Sequence, residues 1–407
     1  MTAETGVEDV YVDVLVLGGG IAGLWTHARL QKEGYKSVLL EADKLGAGQT
    51  RYAQGIIHGG TKYALTGKLT ASSEALADMP SRWRACYEGG GELDLTQAEL
   101  LSDAHYLWST KSIASRVSGF FASKVMKSRS SAIDASNDKK SLPSIFQHKD
   151  FKGQFYRLDE PVFNTLSVVR ALAEPRMKSI LCIQNKSIVN ENHQLTVQAK
   201  DGQSYCFHYK KMIFMAGQGN ESLLSTASCK QPEMQLRPLK MVVMRGGENN
   251  KLNDMIYAHC LGASVNPRIT ITSHRDEHGD IVWYMGGQLA EEGINKTSVD
   301  LITAAKKELA ELIPWMNLQD AQWGVLEINR AEIKKPGTSR PDSFSIESND
   351  DIITAWPTKM ALAPVLADTL IEALKIETGL QKENNDLPKW PQAEYADFPW
   401  NECEWSV

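Results

Sequence analysis

The sequence predicts an α/β chain, α+β overall, with one domain on a parallel sheet and a second that is mostly β. Three observations predict it. Residues 12–41 read as strand, glycine turn, helix and strand. The 407 residues exceed what one compact core holds. The middle of the chain breaks into short alternating apolar and polar runs separated by turn residues.

The opening unit is VDVLVLGGGIAGLWTHARLQKEGYKSVLLE. Val12, Val14, Leu15, Val16 and Leu17 form the β-branched apolar run of a strand buried on both faces. Gly18, Gly20 and Gly23 then give the G-x-G-x-x-G spacing. The first allows a tight turn, the second lets backbone approach a pyrophosphate, and the third lets helix pack on strand. The helix N-terminus turns free N–H groups and its positive dipole end toward the phosphates. Ser37–Leu40 is the second strand, and Glu41 at its end is placed for a ribose hydroxyl pair. The pattern predicts dinucleotide binding. The next stretch, from Ala42 to Leu65, carries Gly46, Gly48, Gly55, Gly59 and Gly60 with Gln49, Thr50 and Gln54. A glycine-rich loop that stays beside the ligand suits FAD, whose ring system extends past the pyrophosphate.

Bulk properties exclude other classes. The net charge of −6 argues against a general nucleic-acid role. The six cysteines are scattered without a C-x-x-C pair, so no metal site is expected and the thiols read as reduced. The N-terminus lacks an apolar signal core, and no stretch is long and apolar enough to span a bilayer. A cytoplasmic protein is expected.

Several segments together resemble FAD-dependent oxidoreductases of the D-amino-acid oxidase and glycine oxidase superfamily, nearest its glycerol-3-phosphate and L-2-hydroxyglutarate dehydrogenase branches. Ile57-His58-Gly59-Gly60-Thr61-Lys62-Tyr63 is similar to His-Gly-Gly-x-Arg-Tyr, and Gly55-Ile56-Ile57-His58 to Gly-Val-Ile-His. Residues 211–217 resemble the strand ending in Ala-Gly that returns to the flavin, residues 337–342 a Gly-x-Arg-Pro segment, and residues 357–364 the closing motif. The matches span most of the chain, but residues 111–150 match no motif.

The resemblance implies a Rossmann-like FAD-binding domain in three pieces, 10–75, 155–230 and 335–380. Interleaved substrate-domain pieces at 76–154 and 231–334, on a mixed β-sheet, and a tail at 381–407 complete the chain. Phe155–Asp159 is expected to return as a strand, Pro161–Glu174 as a helix and Ile180–Phe207 as an antiparallel meander. The substrate domain is expected to hold strands at 239–245, 263–273, 281–286 and 322–333 and a helix at 298–313. Ala361–Leu374 is the terminal helix, with Pro364 in its first turn. The tail, with Trp390, Trp400 and Trp405, reads as a strap over the surface.

Implied for the cofactor, held without a covalent link, are Gly18, Gly20, Ile21, Ala22, Gly23, Glu41, Ala42, Gly48, Gln49, Thr50, Gln54, Gly55, Ile57, Val189, Ala216, Gly217, Thr358, Lys359 and Met360. For catalysis, His58 is the candidate base, with His274 as an alternative. Arg340, Lys62 and Lys359 would bind an anion, with Tyr63 beside them. Lys62 stands where relatives carry arginine and cannot make the bidentate fork, which counts against phosphate and leaves a carboxylate open. Arg268, Thr270, Thr272 and His274 would share one strand face. The implied reaction is hydride transfer from a small anionic hydroxy-substrate, a 2-hydroxy acid or polyol phosphate, to FAD, with quinone or oxygen as acceptor. Oxygen-dependent oxidation of an amine or amino acid, and a flavoprotein subunit without catalysis, are the alternatives. Residues 108–129 read as a basic amphipathic helix, either covering the substrate domain or lying on the inner face of a membrane.

Overall fold

The computed structural model describes residues 6–60, 76–110, 130–133, 140, 142–184, 189–191, 193–227, 232–262, 266–335, 343–357, 359–374 and 386–407. Its centre is a six-stranded sheet. The spatial order is Ser345–Asn349, Ile352–Trp356, Lys211–Phe214, Val14–Leu17, Ser37–Glu41 and Ile180–Cys182. The last five are parallel, and Ser345–Asn349 is an antiparallel edge. Val14–Leu17 lies in the middle and is wholly buried, as its unbroken apolar run requires. Helix Ile21–Lys32 follows it directly. This helix packs with Thr165–Ala173 and Ala363–Leu374 over one face, in a core that includes Trp25, Trp83 and Leu366. Leu15, Leu17, Val38 and Leu40 meet Leu195, Val197 and Phe207 on the other face.

That second face is covered by a four-stranded sheet in the order Glu8–Tyr11, Ser204–His208, Gln194–Gln198, Val189–Glu191. The meander is therefore shorter than expected. Ile180–Cys182 leaves it and pairs in parallel with Ser37–Glu41. All three of its residues are buried, which a central-layer strand demands and a half-exposed meander strand does not.

The second domain is built on eight strands, ordered Gln322–Ile333, Met234–Arg245, Ile281–Gly286, Ile269–Arg275, Tyr257–Leu261, His105–Ser109, Phe155–Leu158 and Ser130–Ile133. Phe155–Leu158, expected to open the second cofactor piece, instead pairs with His105–Ser109 here. Phe155 and Leu158 are buried against this layer, and chain proximity to the following helix does not decide which sheet a strand joins. The expected 263–273 strand begins at Ile269, and Tyr257–Leu261 precedes it as its antiparallel partner. Ile281–Gly286 and Gln322–Ile333 lie where expected. Trp108 belongs to the strand His105–Ser109, not to a helix, and residues 111–129 of the basic segment lie outside the described residues. The helix expected from Pro161 starts at Thr165, because Asn164 caps it by accepting from Leu166 and Ser167 N–H. Helix Ser298–Leu312 covers the outer face of the large sheet.

Residues 386–407 run back across both domains. Leu45 N–H donates to Glu394 O at 2.8 Å, and Ala396 N–H donates to Leu45 O at 3.0 Å. Arg51 grips Glu402 through two hydrogen bonds of 2.8 and 2.9 Å. Ser406 pairs with Trp323, and Trp400 is buried. The tail is a strap, as its tryptophans suggested. Among the described residues no helix is long and apolar enough to cross a membrane.

Candidate active site

The glycines of the opening turn hold backbone where a side chain would not fit. Gly18 sits at φ +120°, and a Cβ there would come within 2.5 Å of Met215 O. A Cβ on Gly23 would lie 1.9 Å from Gly18 O. The helix is capped by Gly20 with no side-chain bond, and its first turn carries no acid. No acid of the helix's own first turn competes with an anion at this end. Glu41 reaches into the turn and accepts from the N–H groups of Gly19 and Asp43. Burial pushes its carboxyl up, and those two N–H groups partly offset the shift. Thr50 Oγ1 accepts from Ile21 N–H at 3.0 Å, fixing the second loop against the helix start. Ala216 and Gly217 close the end of Lys211–Phe214 beside Gly18.

The loop then pairs with residues far along the chain. Gly55 takes φ +74°, and a Cβ on it would strike Phe163 O at 1.9 Å. Ile56 bridges Val162 in antiparallel register, and Ile57 N–H donates to Pro161 O at 2.9 Å. Two residues further in that register, His58 faces Glu160. His58 Nδ1 lies 3.3 Å from Glu160 Oε2, and Gly59 N–H donates to Glu160 Oε1 at 2.8 Å.

The large sheet supplies the opposite wall. Gln54 Nε2 donates to Tyr284 O at 3.0 Å and reaches Thr270 O and Thr272 Oγ1 at 3.4 Å. The face carrying Thr270, Thr272 and His274 therefore meets the glycine loop. His259 stacks parallel to His58 with ring centres 5.8 Å apart, and its Nδ1 lies 2.7 Å from Thr270 Oγ1. His105 meets His259 edge-on at 4.2 Å. Three histidines and one carboxylate thus converge, and His58, at 27% side-chain exposure, is the open one. His105 and Glu160 are 0% and 3% exposed. Burial takes His105 down to about 3, against the pull of Glu160 and with a push from His58. For Glu160, burial works upward, but the His58 hydrogen bond, the neighbouring rings and Gly59 N–H outweigh it and hold the carboxyl below its ordinary range.

Comparison with known proteins follows the same outline. The family of FAD dependent oxidoreductases known as DAO matches residues 13–326. The probable FAD-dependent oxidoreductase PA4991 of Pseudomonas aeruginosa is 43% identical over 389 residues, covering 95% of this chain and 97% of that protein. The chain belongs to this oxidoreductase family. The crystal structure of PA4991 superposes with a TM-score of 0.82 at 38% identity, covering 98% and 99% of the two chains. Glycine oxidase from Geobacillus kaustophilus shares the fold at 11% identity, with a TM-score of 0.64 and coverage of 91% and 96%. L-α-glycerophosphate oxidase from Mycoplasma pneumoniae, solved with FAD bound, does so at 14%, with 0.62 and coverage of 96% and 100%.

FAD is the cofactor of the family, and the residues present fit it. The turn at Gly18 and Gly23 has no room for side chains, the helix start lacks an acid, and Glu41 ends the second strand. Other residues expected at the cofactor have different local partners. Gln49 accepts from Ala331 N–H at 2.8 Å and so ties the loop to the large sheet. Val189 opens the outer strand of the meander. Lys359 immediately precedes the turn Met360–Leu362 and the terminal helix Ala363–Leu374, as its motif required. Lys62, Tyr63, Arg340 and Thr358 lie outside the described residues.

His274 and Arg268 are engaged by other partners. His274 is 2% exposed, packs on Trp400 at 4.8 Å, and has Nε2 3.1 Å from Thr272 Oγ1. Burial lowers it to about 3. Arg268 precedes the strand and is paired with Glu308 and Glu311 of the outer helix. Glu160, His105 and His259 were not singled out from sequence. A histidine inside an apolar strand, as in Tyr257-Ala258-His259-Cys260-Leu261, was the available signal. Two other features lie elsewhere. Asp9, Cys206 and His208 meet on the four-stranded sheet, where His208 contacts Asp9 at 2.7 Å and stacks on Tyr11. A cavity of about 370 Å³ beside Arg245, Asp254 and Trp315 shares no residue with the histidine cluster.

Proposed function

We propose that the chain oxidises a small anionic hydroxy-substrate, a 2-hydroxy acid or a polyol phosphate, with His58 removing the hydroxyl proton. FAD, held non-covalently, would supply the hydride acceptor, and quinone or oxygen would reoxidise it. The observation that carries this reading is the accessibility of His58 inside an otherwise buried cluster. An alcohol must lose a poorly acidic proton as its C–H bond breaks, so its oxidation benefits from a positioned base. An amine that arrives neutral does not need one. An imidazole at the glycine loop can serve as that base.

Arg340, Lys62 and Lys359 are assigned to the substrate anion, with Tyr63 beside them. An arginine fork suits a carboxylate, and the change from arginine to Lys62 favours carboxylate over phosphate. His274 is left out of proton transfer, since Trp400 covers its ring. The test is a panel of hydroxy acids, glycerol phosphate and amino acids, mixed anaerobically with the holoprotein while the flavin absorbance is followed. Bleaching by a hydroxy acid or glycerol phosphate is expected. Bleaching by amino acids alone would move the assignment to amine oxidation, and bleaching by none would favour a flavoprotein subunit.

A further inference from the structure

We propose that Glu160 is the positioning residue of His58: its carboxylate holds the imidazole proton on Nδ1, so that Nε2 is the atom that exchanges a proton with the substrate. The proposal rests on the reading of His58 as the base, and it concerns how that base is set.

The geometry is built for this. The Ile56–Val162 bridge and the bonds Ile57 N–H to Pro161 O and Phe163 N–H to Gly55 O clamp the two segments together immediately next to the contact. Gly59 N–H fixes Glu160 Oε1, which leaves Oε2 toward His58 Nδ1. An ionised carboxylate can only accept hydrogen bonds, so the nitrogen facing it must carry the proton. A buried carboxylate is costly unless its charge and lone pairs are met. Among the described residues the groups facing Glu160 are the rings of His58 and His105 and the Gly59 N–H. No lysine or arginine of the described residues pairs with it. Burial holds His105 neutral, which leaves His58, the open ring, facing the carboxylate. The imidazolium formed when His58 takes a proton then faces a carboxylate in surroundings less polar than water, where attraction is strengthened. The arrangement has the division of labour of an oriented acid–base pair: one group transfers the proton, the other fixes its tautomer.

Nitrogen NMR of the histidine side chains in the FAD-loaded protein tests this without any substrate. His58 is assigned by the resonance lost in His58→Asn, and spectra are taken at a pH where the ring is neutral. The wild-type ring is expected with its proton on Nδ1; a proton on Nε2 would overturn the proposal. Glu160→Gln gives the sharper contrast. Its amide oxygen must stay on Gly59 N–H, which turns the amide NH₂ toward His58 Nδ1 and drives the proton to Nε2. A tautomer unchanged by Glu160→Gln would also overturn it. Once a substrate is in hand, Glu160→Gln should lower kcat roughly 10- to 100-fold, part of the ~10²–10⁴ that a positioned base supplies, with KM little changed. Glu160→Asp, which keeps the charge, should restore part of the rate. Equal kcat in Glu160→Gln and wild type would again count against the proposal. If instead His58→Asn turns over normally, the base assignment fails while the tautomer result stands by itself.

Discussion

At the scale of single residues, the proposed function turns on His58 and on the glycines assigned to the cofactor turn. His58→Asn should keep flavin bound and slow its reduction by substrate roughly 10²- to 10⁴-fold, as loss of a general base does; stopped-flow absorbance reads the effect directly. Arg340→Glu should raise KM steeply without loss of FAD, checked by steady-state kinetics beside the flavin-to-protein absorbance ratio. Gly23→Ala is a different kind of change. Its methyl would enter the space of Gly18 O, 1.9 Å away, so the turn must open. A cost of roughly 1–3 kcal/mol and weakened flavin retention are expected, measured by thermal unfolding and flavin release. The tight turn at Gly18 and Gly23 was legible in sequence because local spacing encodes it, and His58 stood out beside the glycines that follow it. Glu160, His105 and His259 were not, because they meet only through the register of strands distant in sequence. Nothing in Asp159-Glu160-Pro161 says that an antiparallel bridge sets Glu160 opposite His58.

Among the elements, the C-terminal strap ties the cofactor loop to the large sheet. It pairs with Leu45, grips Arg51 and seats Trp400 against His274, Tyr284 and Phe398. Trp400→Ala should cost about 3–5 kcal/mol, as for other buried aromatic truncations, and a chain ending before residue 386 should lose flavin more readily. Unfolding in denaturant, followed by both tryptophan and flavin fluorescence, separates these effects. Elements with a strong local period, such as Ser298–Leu312 and Gln322–Ile333, lie where the sequence placed them. Ile180–Cys182 and Phe155–Leu158 were recognisable as strands, but the sheet each joins was not. Apolar runs of three or four residues carry no mark of their neighbours.

For the whole molecule, acid should be the weak flank. His27, His105 and His274 are buried and lowered to about 3, chiefly by burial. His27 is held neutral between Ser37 and Ser179 hydroxyls. A histidine whose folded pKa lies below its unfolded value near 6.5 takes up a proton on unfolding. Stability is therefore fully present above that value and is lost as pH falls from about 6.5 toward 3. Each such histidine contributes on the order of 1 kcal/mol per pH unit inside this window. Denaturant unfolding at a series of pH values should show the loss, and His27→Gln should flatten its slope; a stability unchanged between pH 7 and 5 would contradict the assignment of neutral buried rings.

The central claim is that an accessible histidine at the flavin loop drives oxidation of a hydroxy-substrate. It is tested most directly by the rate of anaerobic flavin reduction by a 2-hydroxy acid or glycerol phosphate, compared between wild type and His58→Asn. Rapid bleaching in the wild type and bleaching at least roughly 10²-fold slower in the variant, with equal flavin content, is the expected result. Equal rates in the two proteins, or reduction by amino acids alone, would contradict it.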